Sequence, residues 1–245
     1  FMTTLILRPE PQASTLAERL HEVGHAAIVT PLLQIRPGRQ LPQLAEALSR
    51  HDLLIAVSSH AVEQASAWLT AHGLAWPQMP TLAVGTTTAA SWQERGVQPQ
   101  VPQDARSEGL LALPALHEVQ GKRILILRGD SGREFLAEQL RARGALVDYC
   151  ECYRRHWLPL DGAALYTQWR TAGVDSVIIG SGEILRRLLE LVPAAEGRWL
   201  HQLSFIVPSH RVATLVEEAG LPVAHVAQGA THAAMVAALG KRNMA

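Results

Sequence analysis

One strand–helix pattern is written twice in this chain of 245 residues, and that duplication constrains the fold more than any other feature. Leu5-Ile6-Leu7-Arg8 returns as Leu125-Ile126-Leu127-Arg128. The spacing holds through Leu16-Ala17-Glu18 against Leu136-Ala137-Glu138, then Leu20 against Leu140 and Gly24 against Gly144. Each copy reads as a buried strand, a turn, a helix with apolar positions near a 3.6-residue period, and a glycine stop. A second unit recurs in the same order. Asp52-Leu53-Leu54-Ile55-Ala56-Val57-Ser58 matches Asp175-Ser176-Val177-Ile178-Ile179-Gly180-Ser181, and each runs from an apolar strand through Ser into a helix. A looser third unit pairs Leu82 to Thr88 with Phe205 to His210, with helices ending at Gly96 and Gly220. The last helix of each set starts near Ser107 or Thr231, and both residues are expected to be N-caps.

Continuous apolar strands alternating with helices predict parallel sheets covered on both faces. Duplication predicts two such sheets. Each copy also carries an extended segment after its first unit, Ile28 to Arg36 and Val147 to Trp157. If both segments cross between lobes, each lobe takes its first strand–helix unit from the other copy. If neither crosses, the lobes are the two halves of the chain. The pattern of residues leaves both partitions open, and either one expects a ligand cleft between the lobes.

Composition narrows the function. Hydrophobic residues make up 48% and charged residues 18%, enough apolar mass for real cores. The formal net charge is zero, so no whole-molecule field draws the chain to nucleic acid or to a membrane surface. An acidic ligand must be held by local positive groups. The apolar runs are far shorter than a membrane span. Phe1 ahead of Met2 reads as an addition before the natural start, no signal-peptide pattern follows, and a cytoplasmic location is expected. Cys150 and Cys152 fall on one face of a strand as small apolar residues, and no disulfide framework exists.

In open parallel sheets ligands collect at the carboxyl ends of strands. The segments expected there are Arg8-Pro9-Glu10, Ser58-Ser59-His60, Gly85 to Thr88, Arg128 to Glu134, Ser181-Gly182-Glu183 and Pro208 to Arg211, with Tyr153-Arg154-Arg155 in the second extended segment. The set is rich in hydroxyls, glycines and arginines. Hydroxyls and free amides at helix starts bind carboxylate or phosphate, and arginine adds a two-pronged fork. A Ser or Thr at any one of these turns is explained by capping alone; six turns of the same chemistry point to an anionic ligand. No dinucleotide fingerprint, P-loop, nucleophile elbow or metal-spaced cluster is present.

Taken together, the motifs resemble the uroporphyrinogen-III synthase family. The resemblance is carried by Leu7-Arg8-Pro9, by Val57-Ser58-Ser59-His60-Ala61-Val62, and by Ala83 to Ala89. It continues through Ser107-Glu108-Gly109-Leu110-Leu111 and, above all, Arg128-Gly129-x-x-Gly132-Arg133-Glu134 followed by Leu136, Leu140, Gly144 and Tyr153-Arg154. It covers nearly the whole chain. It implies an α/β fold of two similar Rossmann-like or flavodoxin-like parallel-sheet domains joined by two extended linkers. The implied partition is the crossed one: 1–35 plus 157–245 as a discontinuous domain, 38–152 as an inserted domain, and linkers about 34–38 and 150–157.

The implied reaction belongs to tetrapyrrole (haem and sirohaem) biosynthesis. Hydroxymethylbilane is cyclised to uroporphyrinogen III with inversion of the last pyrrole through a spiro intermediate, by a cyclising hydro-lyase that uses no cofactor or metal. Tyr153 matches the family's tyrosine in the second linker, facing the cleft, and is the candidate general acid. Arg8, Ser58, Ser59, His60, Thr88, Arg128, Gly129, Arg133, Ser181 and Ser209 are the candidate substrate-binding residues. Gly182-Glu183 departs from the small hydroxyl-rich turn often found there, and Glu183 beside an acidic substrate is unfavourable unless it points away. An unstable linear substrate favours transient contact with hydroxymethylbilane synthase, and the chain is expected to be a monomer. Two other classes share the architecture: a two-lobed binding protein that closes on an anionic small molecule without chemistry, and a two-lobed glycosyl- or nucleotidyl-transferase, which the missing phosphate fingerprints disfavour.

Overall fold

The computed structural model describes residues 2–244, with side chains described through residue 240; Phe1 lies outside the described residues. In chain order the strands are β1 (Thr3–Ile6), β2 (Ala26–Val29), β3 (Leu33–Pro37), β4 (Leu53–Ala56), β5 (Thr81–Ala83), β6 (Arg123–Gly129), β7 (Leu146–Trp157), β8 (Val174–Ile178), β9 (Ser204–Val207) and β10 (His225–Val226). The helices are α1 (Gln12–Glu22), α2 (Leu44–Arg50), α3 (Ser59–Ala71), α4 (Thr86–Gln93), α5 (Ser107–Leu111), α6 (Phe135–Ala142), α7 (Gly162–Thr171), α8 (Gly182–Leu191), α9 (Gly197–Leu200), α10 (His210–Glu218) and α11 (His232–Met244).

The chain divides into two compact units, Phe1–Gln34 with His156–Ala245, and Ile35–Arg155. The first holds a five-stranded sheet of order β10-β9-β8-β1-β2, and the second a sheet of order β3-β7-β6-β4-β5. All four strand pairs of the first sheet are parallel. So are the β4–β5, β4–β6 and β6–β7 pairs of the second. The duplication is visible in the orders themselves: β9-β8-β1-β2 has the sequence of roles that β5-β4-β6-β7 has. β1 pairs with β8, and β6 pairs with β4. The first strand of each copy therefore lies beside a strand of the other copy.

The extended segments are strands. β3 is an edge strand next to β7, and Gly38 N–H donates to Cys152 O at 2.8 Å. β7 is the longest strand, twelve residues, and Cys150, Cys152 and Tyr153 on it are buried in the core of the second unit.

Alternation builds that core on two faces. Leu54, Ala56, Leu125 and Leu127 face one cluster, with α3 and α4. Leu53, Ile55, Ile124 and Ile126 face the other, with α5 and α6. A strand with both faces buried has no polar alternation, so β4 and β6 are unbroken apolar runs. In the first unit, Ile6, Ile178 and Ile206 from three neighbouring strands pack on Leu16, Leu20, Met235 and Leu239. Gly24 and Gly144, the paired helix stops, have φ of +82° and +90°, the left-handed region where a side chain is disfavoured.

Candidate functional site

Strand order locates the ligand end of each unit. In a doubly wound sheet a crevice opens where the direction of strand progression reverses. In the second unit that point lies between β4 and β6, and in the first between β8 and β1. Ser58 follows β4, and Arg128-Gly129 ends β6. Ser181 follows β8, and Arg8 follows β1.

Three serines cap helices in the same way. Ser58 Oγ accepts from the Ala61 amide at 3.2 Å, Ser181 Oγ from Ile184 at 3.3 Å, and Ser209 Oγ from Val212 at 3.3 Å. Thr231 Oγ1 does the same for Ala234 at 3.1 Å. Capping uses an oxygen lone pair and leaves the hydroxyl hydrogen free to donate, so capping and ligand binding are compatible at one residue. Ser107 differs from expectation. It is the first helical residue of α5, and Arg106 occupies the N-cap without a side-chain cap bond. The turn before it is pinned by Asp104, which accepts from Arg106 at 2.8 and 2.7 Å, and this brings the helix start forward by one residue.

Tyr153, the candidate general acid, is the centre of a cluster of side chains in the second unit. The residue is 2% exposed, on β7 rather than in an open connector. Its ring lies against Gly129, where a Cβ would come 2.5 Å from Tyr153 Cζ. Glycine at 129 is thus required by a close approach, not by a ligand. His60 meets the ring edge-on, with centroids 5.5 Å apart. Ser58 Oγ donates to Tyr153 Oη at 3.1 Å, and Arg155 Nη2 donates to it at 3.4 Å. Arg155 Nη1 also donates to Ser131 Oγ at 2.8 Å, which ties the turn after β6 to the tyrosine. The phenolic oxygen accepts twice, so its own hydrogen remains to be donated.

The other expected residues fall into two groups. Ser59 and His60 are half-buried in the first turn of α3. Arg8 is half-buried behind β1. The remainder are committed elsewhere. Arg128, expected to present its fork to a ligand, is 6% exposed, donates to Glu134 Oε1 at 2.9 Å and stacks 4.3 Å from the centroid of the Tyr149 ring. Its Nη1 ties down the far end of the turn 129–134, while its Nε is buried without a hydrogen-bond partner among the described residues. Bonds from Tyr149 and from Arg128 keep the Glu134 carboxyl below the usual carboxylate range. Arg133 donates to Glu108 at 2.8 Å on the surface. Thr88 is buried in the first turn of α4, where Thr86 is the exposed hydroxyl. Glu183 is exposed at the start of α8 and lines a shallow surface recess with Trp157, Arg186, Arg187 and Glu190. An acidic residue in a first turn is stabilised there by the helix dipole.

Three residues lie in or beside the segments singled out in the sequence but were not among the candidate site residues. Arg155 and Ser131 matter only through their bonds to each other and to Tyr153. His232, the first residue of α11, has a buried and unpartnered Nδ1. A histidine beside a capping Thr was the only local sign of it. Among the described residues, no group of three or more His, Cys, Asp or Glu is placed to hold a metal ion, and no helix is long and apolar enough to cross a membrane.

Comparison with known proteins identifies the family. Residues 14–237 match the family model described as uroporphyrinogen-III synthase HemD. The chain is 41% identical over 245 residues to the uroporphyrinogen-III synthase of Escherichia coli (strain K12), covering 97% of this chain and 100% of that one. It is 42% identical, with the same coverage, to the enzyme of that name from Salmonella typhimurium. Among solved structures, a mutant uroporphyrinogen III synthase from the extremely thermophilic bacterium Thermus thermophilus superimposes with a TM-score of 0.67 at 17% identity, covering 100% of this chain and 98% of that one. The uroporphyrinogen-III synthetase of Helicobacter pylori 26695 gives 0.60 at 16% identity, covering 100% and 99%. At these identities the two structures speak for the fold.

Proposed function

The chain belongs to the uroporphyrinogen-III synthase family, and on that footing we propose that it acts as a cyclising hydro-lyase that converts hydroxymethylbilane to uroporphyrinogen III. The near full-length identity to the Escherichia coli enzyme carries the reading. In net terms, water leaves and one ring closes. The terminal hydroxymethyl oxygen takes a proton and departs as water, pushed out by the electron-rich pyrrole. The cation left behind attacks the substituted carbon of the last pyrrole and forms a spiro intermediate. That intermediate fragments and recloses at the other position, and the ring carbon gives up a proton to restore the pyrrole.

The substrate can dehydrate and close unaided to the wrong isomer, so the protein's main task is orientation. Holding reacting atoms in place yields effective molarities on the order of 10⁵ M or more. Free hydroxyl hydrogens and first-turn amides at Ser59, Ser181 and Ser209, with Arg8, are donors suited to the substrate's carboxylates. Tyr153 supplies the proton to the departing hydroxyl, a contribution of about 10²–10⁴-fold for general acid catalysis. Ser58 and Arg155 support this role by donating to its oxygen, which leaves the phenolic hydrogen unused by either of them. A cytoplasmic monomer that takes its unstable substrate directly from hydroxymethylbilane synthase completes the reading.

One experiment tests it. Hydroxymethylbilane is supplied, the products are oxidised, and the isomers are resolved. Uroporphyrin III should greatly exceed its share in the spontaneous mixture. A product distribution equal to that of the protein-free control overturns the assignment and favours a binding protein without chemistry.

A further inference from the structure

One cation beside the tyrosine has no counter-charge. Arg155, on β7 of the second unit, is half-buried. Its hydrogen bonds go to two neutral hydroxyl oxygens: Nη1 donates to Ser131 Oγ at 2.8 Å, and Nη2 to Tyr153 Oη at 3.4 Å. Its guanidinium carbon also lies 5.6 Å from the centroid of the Tyr153 ring. Arg128 and Arg133, which flank the turn carrying Ser131, are each paired with a glutamate. Arg155 forms no ion pair among the described residues.

The two bonds differ in a way that bears on proton transfer. The bond to Ser131 has an ordinary length and anchors the guanidinium. The bond to Tyr153 is long, since N–H···O distances centre on about 2.9–3.0 Å, and on about 2.7–2.9 Å where the oxygen is an anion. A long contact adds little to a neutral phenol. The same contact to a phenolate is charge-assisted and has room to shorten. Stabilisation that grows as charge develops is the kind that speeds a reaction. When the Tyr153 hydroxyl gives its proton to the departing hydroxymethyl oxygen, water leaves and the negative charge stays on Oη. We infer that Arg155 is the positioning residue for this step: anchored by Ser131, it fixes the tyrosine oxygen before proton transfer and balances its charge afterwards. Ser58 assists from the positive end of the thirteen-residue α3, whose N-terminus it caps while donating to the same oxygen. The proton that the ring carbon surrenders at closure restores the phenol, so protons balance over the cycle. The inference rests on the synthase reading with Tyr153 as the acid, and names the residue through which that acid is made effective.

The test is a double-mutant cycle of Arg155→Met and Tyr153→Phe, read by steady-state kinetics on hydroxymethylbilane and by the share of III isomer in the product. Arg155→Met should lower kcat about 10²-fold, the cost of one donor to a developing oxyanion, while KM stays within about twofold. The share of III isomer should hold, because the substrate is still oriented. Arg155→Lys keeps the charge without the fork and should return kcat to within about tenfold of wild type. In the Tyr153→Phe background Arg155→Met should cost no more than about twofold further, because residues that act through one group are not additive. Ser131→Ala removes only the anchor and should lower kcat about threefold, which keeps the test open if Arg155→Met folds poorly. Wild-type kcat in Arg155→Met or in Ser131→Ala overturns the inference. So do losses that multiply in the double variant, and so does a raised KM at unchanged kcat, the mark of a direct contact with a substrate carboxylate. A wild-type protein that makes no excess of the III isomer overturns the synthase reading and this inference with it. An excess in wild type beside unchanged turnover in Arg155→Met overturns the inference alone.

Discussion

Replacing Gly129 with alanine separates the packing role of this glycine from any contact with ligand. An added Cβ would lie 2.5 Å from Tyr153 Cζ, 2.8 Å from Cε2 and 2.9 Å from Oη. Carbon atoms in contact sit about 3.5–4.0 Å apart, so ring or strand must give by about 1 Å. The ring cannot yield cheaply. It is enclosed on β7 with His60 across its edge, and its hydroxyl accepts from Ser58 at 3.1 Å. A shift of that size breaks the Ser58 bond. Overpacking a core in this way costs about 1–3 kcal/mol, and at about 2–4 °C per kcal/mol for a chain of this size the melting temperature should fall by roughly 2–12 °C. Misplacing a catalytic group by about 1 Å can cost on the order of 10²-fold, so kcat should drop by a similar factor while KM moves less. Thermal melting by circular dichroism and turnover of hydroxymethylbilane read the two effects. A Gly129→Ala protein that melts like wild type refutes the packing argument. One that melts lower yet turns over at the wild-type rate shows that the position of the Tyr153 hydroxyl is irrelevant to the chemistry.

Three other outcomes follow from the same geometry. Tyr153→Phe keeps the ring against Gly129 and removes only the hydroxyl, so stability should fall by about 1 kcal/mol while kcat falls at least about 10²-fold; unaltered turnover would remove Tyr153 from the mechanism. Arg128→Met should lower the melting temperature by several degrees with little change in KM, since the side chain serves Glu134 and Tyr149; the opposite pattern, a raised KM in an equally stable protein, would restore it as a ligand. The depressed pKa of His232 gives a pH dependence of known sign. The unfolded state takes up a proton near pH 6.5, and the folded state holds out to about 4. Stability from this group is complete above about pH 6.5 and declines as pH falls towards 4, by about 1 kcal/mol once the half-exposed ring is discounted for solvent screening. His232→Leu should melt with a flatter pH profile over that window, and an unchanged slope would count against the burial.

The depth at which each feature was legible follows from the range of the interactions involved. The strands, helices and glycine stops of the duplication are local: period two against period 3.6, and a left-handed glycine where a helix ends. Ser58, Ser181 and Ser209 were also readable, because an N-cap bonds an amide only three residues ahead. The function class came from the order of many weak motifs along the chain, which is again a one-dimensional property.

Side-chain commitment is three-dimensional, and there the reading changed. Arg128 looked available until Glu134 and Tyr149 were found to occupy it, and Gly129 looked like a ligand's glycine until the Tyr153 ring was found against it. Tyr153 itself passed from an open connector to a buried place on β7. His232 showed locally only as a histidine beside a capping Thr, because an orphaned nitrogen is defined by what surrounds it, and Arg8 and Arg19, whose charges act on it, lie more than two hundred residues away in sequence. The sequence by itself determined the two repeated α/β patterns, the hydroxyl-capped strand ends and the family. The residue pattern left the partition open and the family resemblance implied the crossed one; the tertiary structure places β1 beside β8 and β6 beside β4, and it alone decided which polar residues at those strand ends have partners. Pairing between distant strands and saturation of hydrogen bonds both depend on partners that no local stretch of chain contains.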